Sequence, residues 1–196
     1  MGENSAFFYG TLMAREIMYR CIYGEKKLTP VTALLAANIT RTPAILHNHC
    51  RHKVLEDDYP GVIPEEGHSV RGLYVTGLTD GDIWRLDHFE GDEYTRTKVS
   101  VKLLEQDGDK EVEGEEKETE TYIFSGSDSR LEKVEWDYEE FRREKMWRWA
   151  GTSEEYDEVD AAVAATSNEG RDPTGGRGIF AGAAKEEKEE ILESAV

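Results

Sequence analysis

Hydrophobic positions along this chain change period several times, and each change marks an element. Ala6 to Tyr9 is an unbroken apolar and aromatic run, the pattern of a strand buried on both faces, and Gly10 ends it. From Met13 to Tyr23 the apolar residues Met13, Ile17, Met18 and Cys21 recur at helical spacing with Gly24 just beyond, which predicts an amphipathic helix with a glycine stop. Thr32 to Ile45 is rich in Thr, Val, Leu and Ile and predicts strand, punctuated by Pro43. Tyr59-Pro60-Gly61 reads as a turn before a short Val62-Ile63 extension, and Val70 to Leu78 as another strand.

Thr79 is placed to cap the next helix, with Asp82 three residues on completing a capping box and Gly91 closing it. Tyr94 to Leu104 alternates, with Val99, Val101 and Leu103 on one face of a strand. Glu105 to Thr121 is almost wholly charged, as a solvated hairpin connection leading back into Tyr122-Ile123-Phe124 would be. Trp136 to Trp149 carries Tyr138, Phe141 and Trp149 near one side, followed by Gly151, and predicts a further helix. No internal repeat is present.

The pattern is lost beyond Gly151. Residues 152–196 hold twelve acidic residues against four basic ones, with Tyr156 and Phe180 as the aromatics. Such a segment buries too little apolar surface to offset its ordering entropy. The expected organisation is therefore one domain over residues 1–150 and an acidic, mostly disordered tail over residues 151–196.

Charge narrows the function. With 42 acidic and 24 basic residues among 196, the chain carries a net charge of −18, which disfavours nucleic acid and anionic membrane surfaces as partners. There is no run long enough to span a bilayer and no leader pattern at the start. Cys21 and Cys50 form no disulfide framework, so a reducing, cytoplasmic setting is expected.

Two stretches carry candidate chemistry. Tyr9-Gly10-Thr11-Leu12 is a strand running into a tight glycine loop, whose backbone N–H groups are suited to hold a carboxylate or an oxyanion, with Tyr9 as a wall. On the helix opened by Thr79, Ile83, Leu86 and Glu90 fall within about 60° of one another, so Glu90 shares the inward face. A glutamate there meets the negative end of the helix dipole and loses water, and both effects raise its pKa toward the range of a neutral-pH acid/base catalyst. Asp87 lies toward the edge of that face, where a solvated or capping role is expected. Neither stretch is decisive alone: a terminal Glu turned to solvent or paired with Arg96, and a plain glycine turn, are the ordinary readings.

The run His47-Asn48-His49-Cys50-Arg51-His52 raises a metal site, since His47 and His49 share a strand face. His52 has the opposite parity and no acidic or cysteine partner stands at ligand spacing, so a solvated strand end is the better reading and no metal is expected. Trp136, Trp147 and Trp149 sit among apolar neighbours and are assigned to packing.

Three motifs in order give the whole its meaning. Tyr9-Gly10-Thr11-Leu12, then Gly67-His68-Ser69-Val70-Arg71-Gly72-Leu73-Tyr74, then Leu86-Asp87-x-x-Glu90-Gly91-x-x-Tyr94-x-Arg96 resemble the gamma-glutamylcyclotransferase-like (AIG2-like) superfamily across about residues 6 to 150. The resemblance implies an α+β fold, a small mixed β-barrel flanked by helices, with a cavity between the Tyr9 to Leu12 loop and a catalytic glutamate matching Glu90. It implies an enzyme that forms 5-oxoproline and releases an amine or amino acid from a small-molecule gamma-glutamyl conjugate, without metal or cofactor. Tyr94 would be a hydroxyl partner for Glu90, and Arg96 would order the helix end. The first loop reads Tyr-Gly-Thr-Leu where the best-known mammalian members read Tyr-Gly-Ser-Asn-Leu, which leaves the leaving group open. The alternative is a binding or regulatory module that keeps the fold and recruits a protein partner through the acidic tail.

Overall fold

The computed structural model describes residues 2–25, 27–151 and 156–168. It is an α+β arrangement: six strands form one mixed sheet, flanked by helices. The strands are β1 (Asn4–Phe8), β2 (Thr40–Val54), β3 (Pro60–Leu78), β4 (Tyr94–Asp107), β5 (Lys110–Phe124) and β6 (Leu131–Glu135). Their order is β3-β1-β5-β4-β2-β6, and β3 also pairs with β2, so the sheet curls back on itself. Two of its seams are narrow. β1 meets β5 in parallel at Ala6↔Glu120, and β2 meets β4 at Ala44↔Leu103 and Ile45↔Lys102. The expected barrel is therefore better described as a curled six-stranded sheet.

The non-alternating apolar run of β1 follows from its central place in this sheet. Ala6 and Phe8 enter the core shared with the helices, while Phe7 and the following Tyr9 enter a second core with Ala44, Leu46, Val62, Val70 and Val101. Gly72 of β3 lets β1 approach: a Cβ there would stand 2.3 Å from the Phe8 carbonyl oxygen. In β4, Val101 is buried and Val99 and Leu103 pack beside it, as the alternation predicts.

The helices are α1 (Arg15–Tyr23), α2 (Pro30–Ala36), α3 (Asp80–Glu90), α4 (Tyr138–Glu144), α5 (Met146–Gly151) and α6 (Asp157–Asn168). α1 ends on Gly24 in the left-handed region, whose N–H donates to the Arg20 carbonyl. α3 opens with the predicted box: Asp82 N–H donates to Thr79 Oγ1 at 3.2 Å and Thr79 N–H to Asp82 Oδ2 at 2.8 Å. Gly91, at φ 66°, stops it directly after Glu90.

Four expectations are corrected. Thr32 to Ile45 is not one strand, because Thr29 caps and Pro30 opens α2, and β2 begins only at Thr40. Cap chemistry and the helix-favouring Ala33-Leu34-Leu35-Ala36 outweigh β propensity here. Val62-Ile63 and Val70 to Leu78 are parts of the single 19-residue strand β3. The Trp136 to Trp149 helix is two short helices broken at Lys145. The charged stretch 105–121 is a hairpin whose strands continue almost to its Gly108 turn, pairing Asp107 with Lys110.

Part of the segment expected to be a disordered tail is folded. α6 packs on α3, Tyr156 is 1% exposed, and Val159 is fully buried. Arg20 of α1 clamps α6 by two hydrogen bonds to Asp160, at 3.1 and 2.5 Å, and stacks 4.5 Å from the Tyr156 ring centroid. One buried tyrosine, one buried valine and one ion pair supply what composition alone does not show. The rest of that segment, 152–155 and 169–196, lies outside the described residues.

Candidate active site

β1 and α3 end at the same hollow. A cavity of about 670 Å³ is lined by Tyr9, Gly10, Thr11 and Leu12 from the first, by Asp87 and Glu90 from the second, and by Tyr94 and Tyr122 from β4 and β5. That volume suits a small organic substrate. Tyr59, Phe89 and Trp149 add aromatic walls, and Glu158 reaches the rim from α6.

After β1 the chain makes a 3-10 turn over Thr11–Met13, in which Met13 N–H donates to the Gly10 carbonyl and Ala14 N–H to that of Thr11, both at 3.0 Å. The first N–H groups of such a turn have no acceptor within it, which fits them for an anion. Gly10 is required by close approach, since a Cβ would meet Pro60 Cγ at 2.9 Å. The Tyr9 hydroxyl donates to the Tyr122 carbonyl at 2.5 Å and fixes the ring as a wall. On the other side of the loop, Arg51 Nη1 donates to the Tyr9 carbonyl at 2.9 Å. A trans peptide points its carbonyl and N–H in opposite directions, so this bond turns the Gly10 N–H away from Arg51.

Glu90 is half-buried and faces the cavity. Burial, and secondly the negative charge of Asp87, push its pKa from an ordinary 4.5 up to about 8. Its charge reaches Tyr9, Tyr94 and Tyr122, each of whose hydroxyls is raised chiefly by burial and further by Glu90. Asp87 is held differently. Its Oδ1 accepts from Arg96 Nε and from the Tyr122 hydroxyl, both at 2.9 Å, and Arg96 also pairs with Glu120.

All six residues named from the sequence, Tyr9, Gly10, Thr11, Leu12, Glu90 and Tyr94, therefore line one cavity. Tyr94 differs in its partner: its hydroxyl donates to the Pro60 carbonyl at 3.0 Å rather than to Glu90. Arg96 orders the helix end as expected, through Asp87. Asp87 is not merely a solvated edge residue, since it lines the cavity and sets the field at Glu90. Its position one turn before Glu90 is the signal that marks it. Arg51, Tyr122, Trp149 and Glu158 arrive from distant segments, and no local pattern identifies them.

The histidine run also divides. A bulge at Asn48, in the left-handed region, separates His47 from His49. His47 turns to Ser69 and Glu113, whereas His52 meets Glu65 across the β2–β3 hairpin with Cys50 nearby.

Comparison with known proteins agrees with this architecture. Residues 6–148 match the family model described as gamma-glutamyl cyclotransferase, AIG2-like. Protein AIG2 B of Arabidopsis thaliana is 30% identical over 136 residues, covering 69% of this chain and 76% of that protein. AIG2-like protein D of the same organism is 30% identical over 156 residues, covering 79% and 90%. A solution structure of an Arabidopsis thaliana protein superposes with a TM-score of 0.52 at 22% identity, over 85% of this chain and 84% of that one. The chain belongs to the gamma-glutamyl cyclotransferase, AIG2-like family.

Proposed function

We propose that this protein is a gamma-glutamyl cyclotransferase that cleaves a gamma-glutamyl conjugate by intramolecular aminolysis, releasing 5-oxoproline and an amine or amino acid. The observation that carries the reading is Glu90: a carboxyl with a pKa near 8 shares a cavity with the Tyr9 to Leu12 loop. Glu90 takes a proton from the substrate's α-ammonium group, and the freed amine attacks the side-chain carbonyl. As the lactam closes, the bond to the leaving nitrogen breaks; Glu90 returns its proton to that nitrogen, and the second proton shed by the attacking amine also goes to the departing group, which leaves as an ammonium. Nucleophile and electrophile belong to one molecule, so holding the substrate folded exploits ring closure, up to about 10 kcal/mol of barrier in favourable cases. The loop N–H groups bind the α-carboxylate or the developing oxyanion, with Arg51 fixing the Tyr9–Gly10 peptide.

The lining also bears on the leaving group. Asp87, Glu90, Asp92, Glu93 and Glu158 face the cavity, and no lysine or arginine stands among its described lining residues. A neutral or cationic leaving group suits this field better than an anionic one. Unpaired Cys21 and Cys50 fit a cytoplasmic setting. Among the described residues no helix is long and apolar enough to cross a membrane.

The test is incubation with a panel of gamma-glutamyl amines and amino acids, followed by assay for 5-oxoproline. Turnover that disappears in Glu90→Gln supports the reading. Absence of turnover across the panel rejects it in favour of a binding module on the same fold.

A further inference from the structure

We propose that Cys50, His52 and Glu65 form a site for one divalent transition-metal ion, zinc(II) foremost, that clamps β2 to β3 on the face opposite Arg51. The residues come together through strand register. Cys50 and His52 are two apart on β2 and share a face, while Arg51 between them points the other way, to the Tyr9 carbonyl. Across the hairpin Cys50 pairs with Ile63, so Glu65, two further along β3, returns to the Cys50 face. One donor atom from each of the three lies within 4.8 Å of the others. With bonds of about 2.0–2.3 Å to a shared ion, the donors close by only about 1 Å.

The hydrogen bonds of His52 carry the inference further. Its Nδ1 stands 3.0 Å from the Glu132 carbonyl oxygen, which only accepts, so Nδ1 bears the proton. Its Nε2 stands 3.0 Å from Glu65 Oε2. Nε2 of the same ring is thereby aimed at a carboxylate oxygen, a pair of donor atoms that a cation seated between them would join. A histidine whose far nitrogen is fixed by a backbone carbonyl is the usual arrangement behind a metal ligand. His68 approaches the other carboxylate oxygen of Glu65 at 3.3 Å, leaving Oε2 directed at His52. A thiolate, an imidazole and one carboxylate select zinc or a similar ion over calcium and magnesium, which favour all-oxygen shells. None of these residues lines the cavity, so the proposal is independent of the cyclotransferase reading.

The test is a titration of the reduced, metal-free full chain with cobalt(II), followed by zinc(II). The expected result is one equivalent of cobalt with a near-ultraviolet thiolate-to-cobalt band and visible bands of a four-coordinate site, both displaced by zinc. Cys50→Ser removes the thiolate band, Cys21→Ser retains it, and His52→Ala weakens binding at least tenfold. Zinc raises the melting temperature of the wild type and not of His52→Ala. Glu65→Gln, a substitution at a half-exposed position, gives a second measure of the affinity loss should either of the others fold poorly. The proposal is overturned if excess cobalt gives no thiolate band in the wild type, or if the band survives Cys50→Ser. Absence of metal uptake with an intact fold overturns it as well, leaving His52 and Glu65 as a hydrogen-bonded pair that ties the hairpin.

Discussion

Asp87 and Glu90 stand one turn apart on α3 and open to the same cavity, yet the protein treats them in opposite ways. Asp87 receives a guanidinium and a phenol, so its charge is matched. Glu90 receives burial and the charge of Asp87, and its proton affinity rises to about 8. The two roles depend on each other: the anchored carboxylate raises the proton affinity of the unanchored one. A pair of acids divided by environment is how one site holds both a fixed field and a group able to exchange a proton near neutrality.

The largest effect should come from removing the exchangeable member. Glu90→Gln is expected to lower 5-oxoproline formation at least about 100-fold, measured as kcat/KM. The same substitution should raise thermal stability. The folded-state pKa of Glu90 lies above its ordinary value, so the acid's favourable contribution is intact below about pH 4.5, declines as pH rises, and is gone above about 8. The amide escapes that loss, a gain of about 1–3 kcal/mol near neutral pH. Melting curves of both proteins at pH 5 and pH 8 should diverge at the higher pH.

A second change leaves both carboxylates and loosens what they face. Arg51→Lys keeps the charge and loses the fork that reaches both the Tyr9 carbonyl and Glu135. It should reduce kcat by about tenfold with a smaller change in KM, because the loop N–H groups lose aim rather than number. Asp87→Asn comes next. It removes the second cause of the raised pKa and should move the acid limb of the kcat/KM profile down by about half a pH unit to one unit. The smallest effect is expected from Tyr94→Phe, since that hydroxyl serves Pro60. Activity should stay within about threefold, with a stability loss of about 0.5–1.5 kcal/mol.

This division between anchored and unanchored acid was half visible in the sequence. The periodicity that places Ile83 and Leu86 in the core, at 7% and 0% exposure, also carries Glu90 inward, and the Thr79 and Gly91 signals fix the length of the helix. These are local rules, and they held for β1 and its glycine loop as well. The second partner of Asp87, beside Arg96, is Tyr122, 35 residues away, and the support for Tyr9 is Arg51, 42 residues away. Neither is written in any spacing. The same holds for Glu65 beside His52, which only the hairpin register reveals, and for α6, which is held by Arg20 and Tyr156 against an acidic composition that argues for disorder. Thr29-Pro30 was a legible helix start that the β-branched residues after it obscured.

The most direct test is a carbon-13 NMR titration of the Glu90 side-chain carboxyl in the ligand-free protein, assigned by its absence in Glu90→Gln. A midpoint near 8 is predicted. A midpoint near the ordinary 4.5 would show a solvated glutamate already ionised at neutral pH, and would contradict its role as the group that takes and returns the proton.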